Sequence, residues 1–269
     1  ELARIQELSQ RNAGGPDSGQ ATRRRREHER EPGPIRRMVD AWWNRLLGAV
    51  YGGGFSTQEA EYEEHATRRD YLWNTLGTAV WGMAFPLLTI VSTQLVGAEE
   101  AGKFSMAFVT GTLIMIACNY GVRNFQVSDI DEKTSFASYQ LNRWLCGVLA
   151  LACGLVYSSA RGYDAQMATI GLGVYLYKVV DGVADVYEGR LQQADKLYLA
   201  GMSQTLRSVG VLAVFTVALF LTRSMPIAAM AMGITAIASL VLITAPLALL
   251  ETEKSRRVSL REVGHLFVQ

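Results

Sequence analysis

Apolar residues recur along this chain in runs long enough to cross a hydrocarbon core, and polar loops separate the runs. The first spans about Tyr71 to Val96 and the second about Gly102 to Tyr120. A third covers about Leu141 to Ser159 and a fourth Met167 to Tyr187. The fifth, about Leu206 to Thr222, is short, and only Arg223-Ser-Met-Pro226 parts it from the sixth, Met225 to Leu250. Each is near the roughly 20 residues that span a hydrocarbon core of about 30 Å. Within lipid only helices and closed barrels satisfy their own backbone polar groups, and no strand-like alternation is present. The pattern therefore predicts an all-α fold, a polytopic bundle of six transmembrane helices over 71–250.

Ahead of the bundle the pattern differs. Residues 1–33 lack apolar anchors and carry Arg23 to Arg26 as a run of like charge, so a disordered basic tail is expected. An anionic membrane surface is its expected partner, and nucleic acid is not. Within 34–70, Ile35, Met38, Val39, Trp42, Trp43, Leu46, Leu47 and Val50 recur at helical spacing. Arg36, Arg37 and Arg45 lie on the other face, which predicts an amphipathic helix in the membrane interface. Ser56 and Glu59 match a capping box opening a charged helix that ends at Asp70. Residues 251–269 read as a cytoplasmic C-terminal segment.

Charge then orients the bundle. The net charge is only +1, but twelve of the 26 basic residues lie in the first 70 positions. Beyond them, Arg123, Lys133, Arg143, Arg190, Lys196, Arg207, Lys254, Arg256, Arg257 and Arg261 fall at one set of ends. Lys103, Arg161 and Arg223 fall at the other. Basic loops stay in the cytoplasm, so both termini are expected there. Tyr71, Trp73, Tyr139 and Trp144 would anchor the inner interface, and Tyr157 and Tyr163 the outer one. Pro86 and Pro246 should bend their helices. Cys118, Cys146 and Cys153 sit in apolar runs without metal or disulfide spacing and read as small buried hydrophobes.

The fourth span carries the unusual chemistry. Lys178 stands near its midpoint as the one basic residue expected inside the bilayer, and Asp181, Asp185 and Glu188 continue along the same face. An ionisable group at that depth costs about 2.5–3.5 kcal/mol on insertion scales and must face other helices or a wet cavity. Two readings follow: Lys178 offers a cation to an anionic substrate, or it neutralises its own helix's carboxylates. The first span adds a softer polar stripe, Asn74, Thr75, Thr78, Thr89, Ser92 and Thr93, suited to helix contacts or to a substrate path. Gly77, Gly82, Gly171 and Gly173 are expected to let helices approach closely. The pair Asp129 and Asp131 matches a metal-binding DxD only superficially. The histidines are scattered and no phosphate-binding glycine loop is present, so no catalytic residue, metal or cofactor is assigned and an enzyme is not expected.

The loops at the basic ends carry recognisable text. Asn119-Tyr-Gly-Val-Arg123-Asn-Phe-Gln126-Val-Ser-Asp129, then Ser135 to Tyr139 and Asn142-Arg143, resembles the loop after the second helix of bacterial polysaccharide flippases. Glu188-Gly-Arg190-Leu-Gln-Gln193-Ala-Asp195 with Arg207 resembles the loop after their fourth helix. Asn74, Gly77 and the turn Gly97 to Ser105 are similar to their first hairpin. Those proteins belong to the multidrug, oligosaccharidyl-lipid and polysaccharide exporter superfamily, and the resemblance covers about residues 68 to 255. The two loops also share Arg-x-x-Gln, at Arg123 to Gln126 and at Arg190 to Gln193, a hint of a repeated unit.

The resemblance implies one lobe of a two-lobed transporter in the cytoplasmic membrane of a bacterium. That transporter flips polyprenyl-diphosphate-linked oligosaccharide by alternating access during cell-surface polysaccharide synthesis. Family members have twelve or fourteen helices, so six suggest an N-terminal half, and the absence of an initiating Met fits a fragment. Lys178, Asp181, Asp185 and Asn74 would line the substrate pathway. Arg123 and Arg143 would receive a headgroup at the inner mouth or simply anchor the interface. Polysaccharide polymerase or glycosyltransferases are the implied protein partners. A cation-coupled drug exporter using Asp181 or Asp185, and a non-transporting scaffold for polysaccharide assembly, remain as alternatives.

Overall fold

The computed structural model describes residues 66–129, 133–252 and 259–267. The described part is helical throughout, with α1 (Ala66–Val96), α2 (Ala98–Asn119), α3 (Val122–Ser128), α4 (Phe136–Ala160), α5 (Ala165–Gln193), α6 (Leu197–Thr222), α7 (Met225–Ser239), α8 (Ala245–Glu251) and α9 (Leu260–Leu266). A π-helical turn, Leu240–Thr244, joins α7 to α8. Six helices are long and apolar enough to cross a membrane, the sixth running through that turn from Met225 to Leu250. This is an all-α bundle of a multi-pass membrane protein. The basic tail, Arg36, Arg37, Trp42, Trp43 and Arg45, and the Ser56–Glu59 capping box lie outside the described residues.

Helix α5 forms the axis of the bundle. In its apolar window 72% is buried, against 17–39% in the other five spans, because α2, α4, α6 and α7 all pack on it. The opposite faces of those neighbours carry exposed aliphatic side chains such as Leu113, Val148, Leu149, Val217 and Ile234. Such an inside-out distribution suits a lipid surround rather than water. Helix α1 is peripheral and packs chiefly along α6.

Small residues set two of the closest crossings. A methyl group on Gly77 would sit 2.6 Å from the Gly201 carbonyl oxygen, so α1 and α6 touch backbone to backbone. A methyl group on Gly173 would collide with the Ala229 backbone, and one on Gly233 would lie 2.8 Å from the Gly173 carbonyl oxygen, which joins α5 to α7 the same way. Close small-residue contacts of this kind hold membrane helices together where burial against lipid offers little drive. Gly82 has open space around it, and Gly171 makes ordinary contacts, so neither belongs to a crossing.

Several boundaries differ from the sequence expectation. Helix α1 continues unbroken through Asp70, so no separate charged helix ends there. Helix α6 begins at Leu197 rather than Leu206, because buried Ser203, Arg207 and Ser208 find polar partners or a packed environment inside the bundle. Pro86 lies within α1, and Pro246 follows the π turn, whose wider winding accommodates the residue that lacks an N–H. Tyr139 is buried with its hydroxyl toward Asp129, so it does not anchor an interface, whereas Tyr71, Trp144 and Tyr157 are exposed as expected. Cys146 is buried, but Cys118 is partly exposed and Cys153 faces outward.

The terminal helix α9 docks on the start of α4. Glu262 Oε2 accepts from the Ser135 backbone N–H at 3.1 Å, from Ser135 Oγ at 3.1 Å and from Ser138 Oγ at 2.8 Å. Val263 and Leu266 are buried beneath it, and Phe267 stacks on Tyr120 with centroids 6.0 Å apart. Donation from Ser135 and Ser138 holds the Glu262 carboxyl below its ordinary range.

Two predictions follow from the packing. Gly173→Ala should lower stability by about 1–3 kcal/mol through overpacking, whereas Gly82→Ala should leave it unchanged or raise it; thermal unfolding in detergent distinguishes them. For the depressed Glu262 carboxyl, the docking contribution is present above the ordinary Glu value of about 4.3 and is lost as pH falls through the lower folded value. Glu262→Gln should therefore speed amide exchange over Val263–Leu266 at pH 7, and the difference from wild type should vanish in strong acid. Equal exchange at pH 7 would refute the clasp.

Candidate functional site

The site begins with the spacing of ionisable residues on α5. Lys178 is the fourteenth of the 29 residues in this helix, so it lies at its midpoint. At 1.5 Å per residue, Asp181, Asp185 and Glu188 follow at about 4.5, 10 and 15 Å along the axis. Lys178, Asp181 and Glu188 are buried, and Asp185 is partly exposed.

Cations from three other helices meet these carboxylates. Arg207 of α6 donates through Nε to Asp181 Oδ1 at 3.1 Å and through Nη1 to Glu188 Oε1 at 2.6 Å. All three side chains are 2–4% exposed, so the interaction is screened little by water. The other oxygen of Asp181 accepts from Trp81 Nε1 of α1 at 2.6 Å. Asp185 takes Arg123 Nη1 of α3 at 2.7 Å and Arg143 Nη2 of α4 at 3.1 Å. Arg143 also donates to the Asn119 carbonyl at 3.0 Å and to Asn119 Oδ1 at 2.9 Å, while its buried Nε has no partner.

Lys178 is left over. Among the described residues no carboxylate lies within ion-pair distance of it. Its ammonium sits 4.0 Å from the Phe108 ring centroid, 5.1 Å from Tyr177 and 5.8 Å from Trp81. Aromatic faces offer a cation partial compensation. Phe85 stacks on Phe108 at 4.7 Å and extends that aromatic wall. Three carboxylates therefore meet three arginines, and Lys178 adds one positive charge to a balanced cluster.

This overturns parts of the sequence expectation. Lys178 makes no direct ion pair with Asp181, whose carboxylate is held by Arg207 and Trp81. Arg143, Arg190 and Arg207 are buried in the bundle as well. Arg143, 1% exposed, is enclosed within the bundle and bonded to Asp185 and Asn119. Arg123 is partly exposed but committed to Asp185 and, through Nη2, to Gln192 at 3.1 Å. Asn74 is half-buried at the α1–α6 crossing, where its backbone nitrogen lies against Gly201. Ser92 and Thr93 bond back to the Leu88 and Thr89 carbonyls at 2.7 and 2.8 Å. Asp129 clamps its own loop by accepting from the Lys133 and Thr134 N–H groups at 2.9 and 2.8 Å; Asp131 lies outside the described residues.

Sequence reasoning missed two features. Trp81 sits in an apolar run, and nothing in the local sequence ties it to Asp181, 100 residues away. The short helix α3 stands where the sequence predicts a loop. It exists because its polar side chains reach α5: Gln126 Nε2 donates to the Val186 carbonyl at 2.9 Å. Reciprocally, Gln193 Nε2 donates to the Asp129 carbonyl at 2.6 Å. The two Arg-x-x-Gln segments are joined by Arg123 Nη2 donating to Gln192 Oε1, and each glutamine donates to a backbone carbonyl next to the other segment.

No protein-family model, no curated protein and no solved structure matches the chain.

Removing Arg207 would leave two buried carboxylates without their cation. Arg207→Met should cost about 3–5 kcal/mol, the usual penalty for breaking a buried pair. Adding Asp181→Asn and Glu188→Gln should recover much of it, because neutral groups tolerate burial better. Thermal unfolding of the single and triple variants measures both; a triple variant no more stable than the single one would count against the ion-pair account.

Proposed function

We propose that this chain is a lobe of a lipid-linked oligosaccharide flippase, which carries polyprenyl-diphosphate sugars across a bacterial cytoplasmic membrane for surface polysaccharide synthesis. One observation carries the reading: a buried lysine at the midpoint of the central helix with, among the described residues, no carboxylate within ion-pair distance. Holding such a charge costs about 2.5–3.5 kcal/mol, and an anionic ligand that pairs with it recovers that cost. A diphosphate is such a ligand, and movement across the bilayer requires no covalent step.

The loop text of α3 and of the α5–α6 connection supports the same family by resemblance. The side chains give that text a role, since Arg123, Gln126 and Gln193 join α3 and its flanking residue to α5, and Arg190 holds Gln193. Trp81 ties α1 to Asp181 and stands beside Lys178, so displacement of α1 would change the field at the ammonium. Basic residues concentrate at the ends formed by Asn119, Phe136, Gln193 and Leu197, which favours a cytoplasmic position for those ends and for both termini. Glycosyltransferases or a polymerase fit as partners on that side. A cation-coupled drug exporter has less support, because both candidate ion-binding aspartates are engaged by arginines.

The test uses the chain in nanodiscs with a fluorescent polyprenyl diphosphate. Lys178→Met should weaken binding at least tenfold, about 1.4 kcal/mol, yet leave thermal stability unchanged or higher. Lys178→Arg should retain binding. A methionine variant that binds as wild type does, or that loses binding only because it unfolds, would sink the proposal.

A further inference from the structure

Helices α1 and α6 touch at Gly77 and Gly201, and about three to four turns further on, toward the opposite end of the bundle, larger side chains line both helices. There they enclose a groove of about 380 Å³, lined by Ile90, Gln94, Leu95, Val217, Phe220 and Leu221 among others. Its exposed wall is carbon throughout. The volume falls within the range of about 300–1,000 Å³ typical of small-ligand sites. Both walls belong to helices long and apolar enough to cross a membrane.

Arg223 stands at the mouth. It caps α6 in a left-handed conformation, with φ 51°, which an L-residue other than Gly, Asn or Asp rarely adopts. This backbone places its guanidinium over the end of α1, where Nη1 donates to the Leu95 carbonyl at 2.7 Å. The guanidinium lies 5.5 Å from the ring centroid of Phe220, which itself lines the groove. One of its five N–H donors is used by the chain. Among the described residues no carboxylate pairs with it, in contrast to Arg123, Arg143 and Arg207. The arrangement is an open carbon-lined groove with a cation beside the end formed by Leu95 and Phe220.

We propose that the α1–α6 groove is a binding site for one anionic diacyl phospholipid, an acyl chain lying along Ile90, Val217 and Phe220 and the headgroup phosphate on Arg223. Charge complementarity selects this occupant: an arginine fork matches phosphate oxygens, and a zwitterionic lipid adds a competing positive charge next to them. The site is independent of Lys178, which lies midway along α5 rather than at this end, so it does not rest on the flippase reading. Its structural consequence is that lipid, rather than protein, fills the outer part of the α1–α6 interface.

Native mass spectrometry and thermal unfolding of the full chain test this, with dioleoylphosphatidylglycerol and dioleoylphosphatidylcholine as probes. Wild type should retain one phosphatidylglycerol at least tenfold better than phosphatidylcholine and gain thermal stability from it. Val217→Trp fills the groove and should abolish retention of both. Arg223→Gln should keep retention but lose the headgroup preference, and Lys178→Met should change neither. Equal retention of the two lipids by wild type would overturn the proposal, as would undiminished retention by Val217→Trp. Tenfold stronger retention of a polyprenyl phosphate than of phosphatidylglycerol would overturn the assignment of the occupant.

Discussion

Three carboxylates on one helix of a membrane bundle can remain ionised only if cations meet them at hydrogen-bonding distance, because desolvation costs several kcal/mol per ion. Much of this fold answers to that requirement. Arg207 brings α6 to Asp181 and Glu188, Arg143 brings α4 to Asp185, and Arg123 brings the short helix α3 to the same carboxylate. Each pair recruits a different helix, so the charges on α5 specify which neighbours surround it and in what register. Trp81 extends the same logic to α1.

Backbone contact supplies what the ion pairs do not. Apolar side chains gain little by leaving lipid for protein, so the crossings at Gly77–Gly201 and Gly173–Gly233 rely on close approach. These crossings position the cluster as well: the α1–α6 contact lies about one turn from Trp81, which bonds α5, and the α5–α7 contact lies in the N-terminal half of the lysine-bearing helix. The other end of the α1–α6 pair holds a carbon-lined groove beside Arg223. Two cations thus stand in different settings, Lys178 buried at the midpoint of α5 and Arg223 exposed at the end of α6.

Hydropathy alone placed the six spans to within a few residues, except where polar residues are buried. The fifth span reads short because Ser203 and Arg207 look like interface residues in a linear window. In the bundle Ser203 shares a hydrogen bond with Thr244 at 2.8 Å and Arg207 is sandwiched by two carboxylates. The same effect hid α3, whose apolar content is too low to suggest an element on its own. Of the site, Lys178, Asp181 and Asp185 were legible from depth on the helix. Their partners were not, since Arg143 and Arg207 lie 42 and 26 residues away from them in sequence.

The sequence by itself determined the class of the protein: runs of apolar residues of membrane length permit only helices in lipid, and an ionisable face on the fourth marks that helix for the interior. It could not decide which charge would stay uncompensated. Lys178 and Asp181 are three residues apart and form a natural pair on an isolated helix. Only tertiary packing places Arg207 nearer to Asp181, with a bidentate-capable guanidinium that a lysine cannot match. That competition between helices, decided by geometry rather than by spacing, leaves Lys178 a buried cation with, among the described residues, no carboxylate within ion-pair distance.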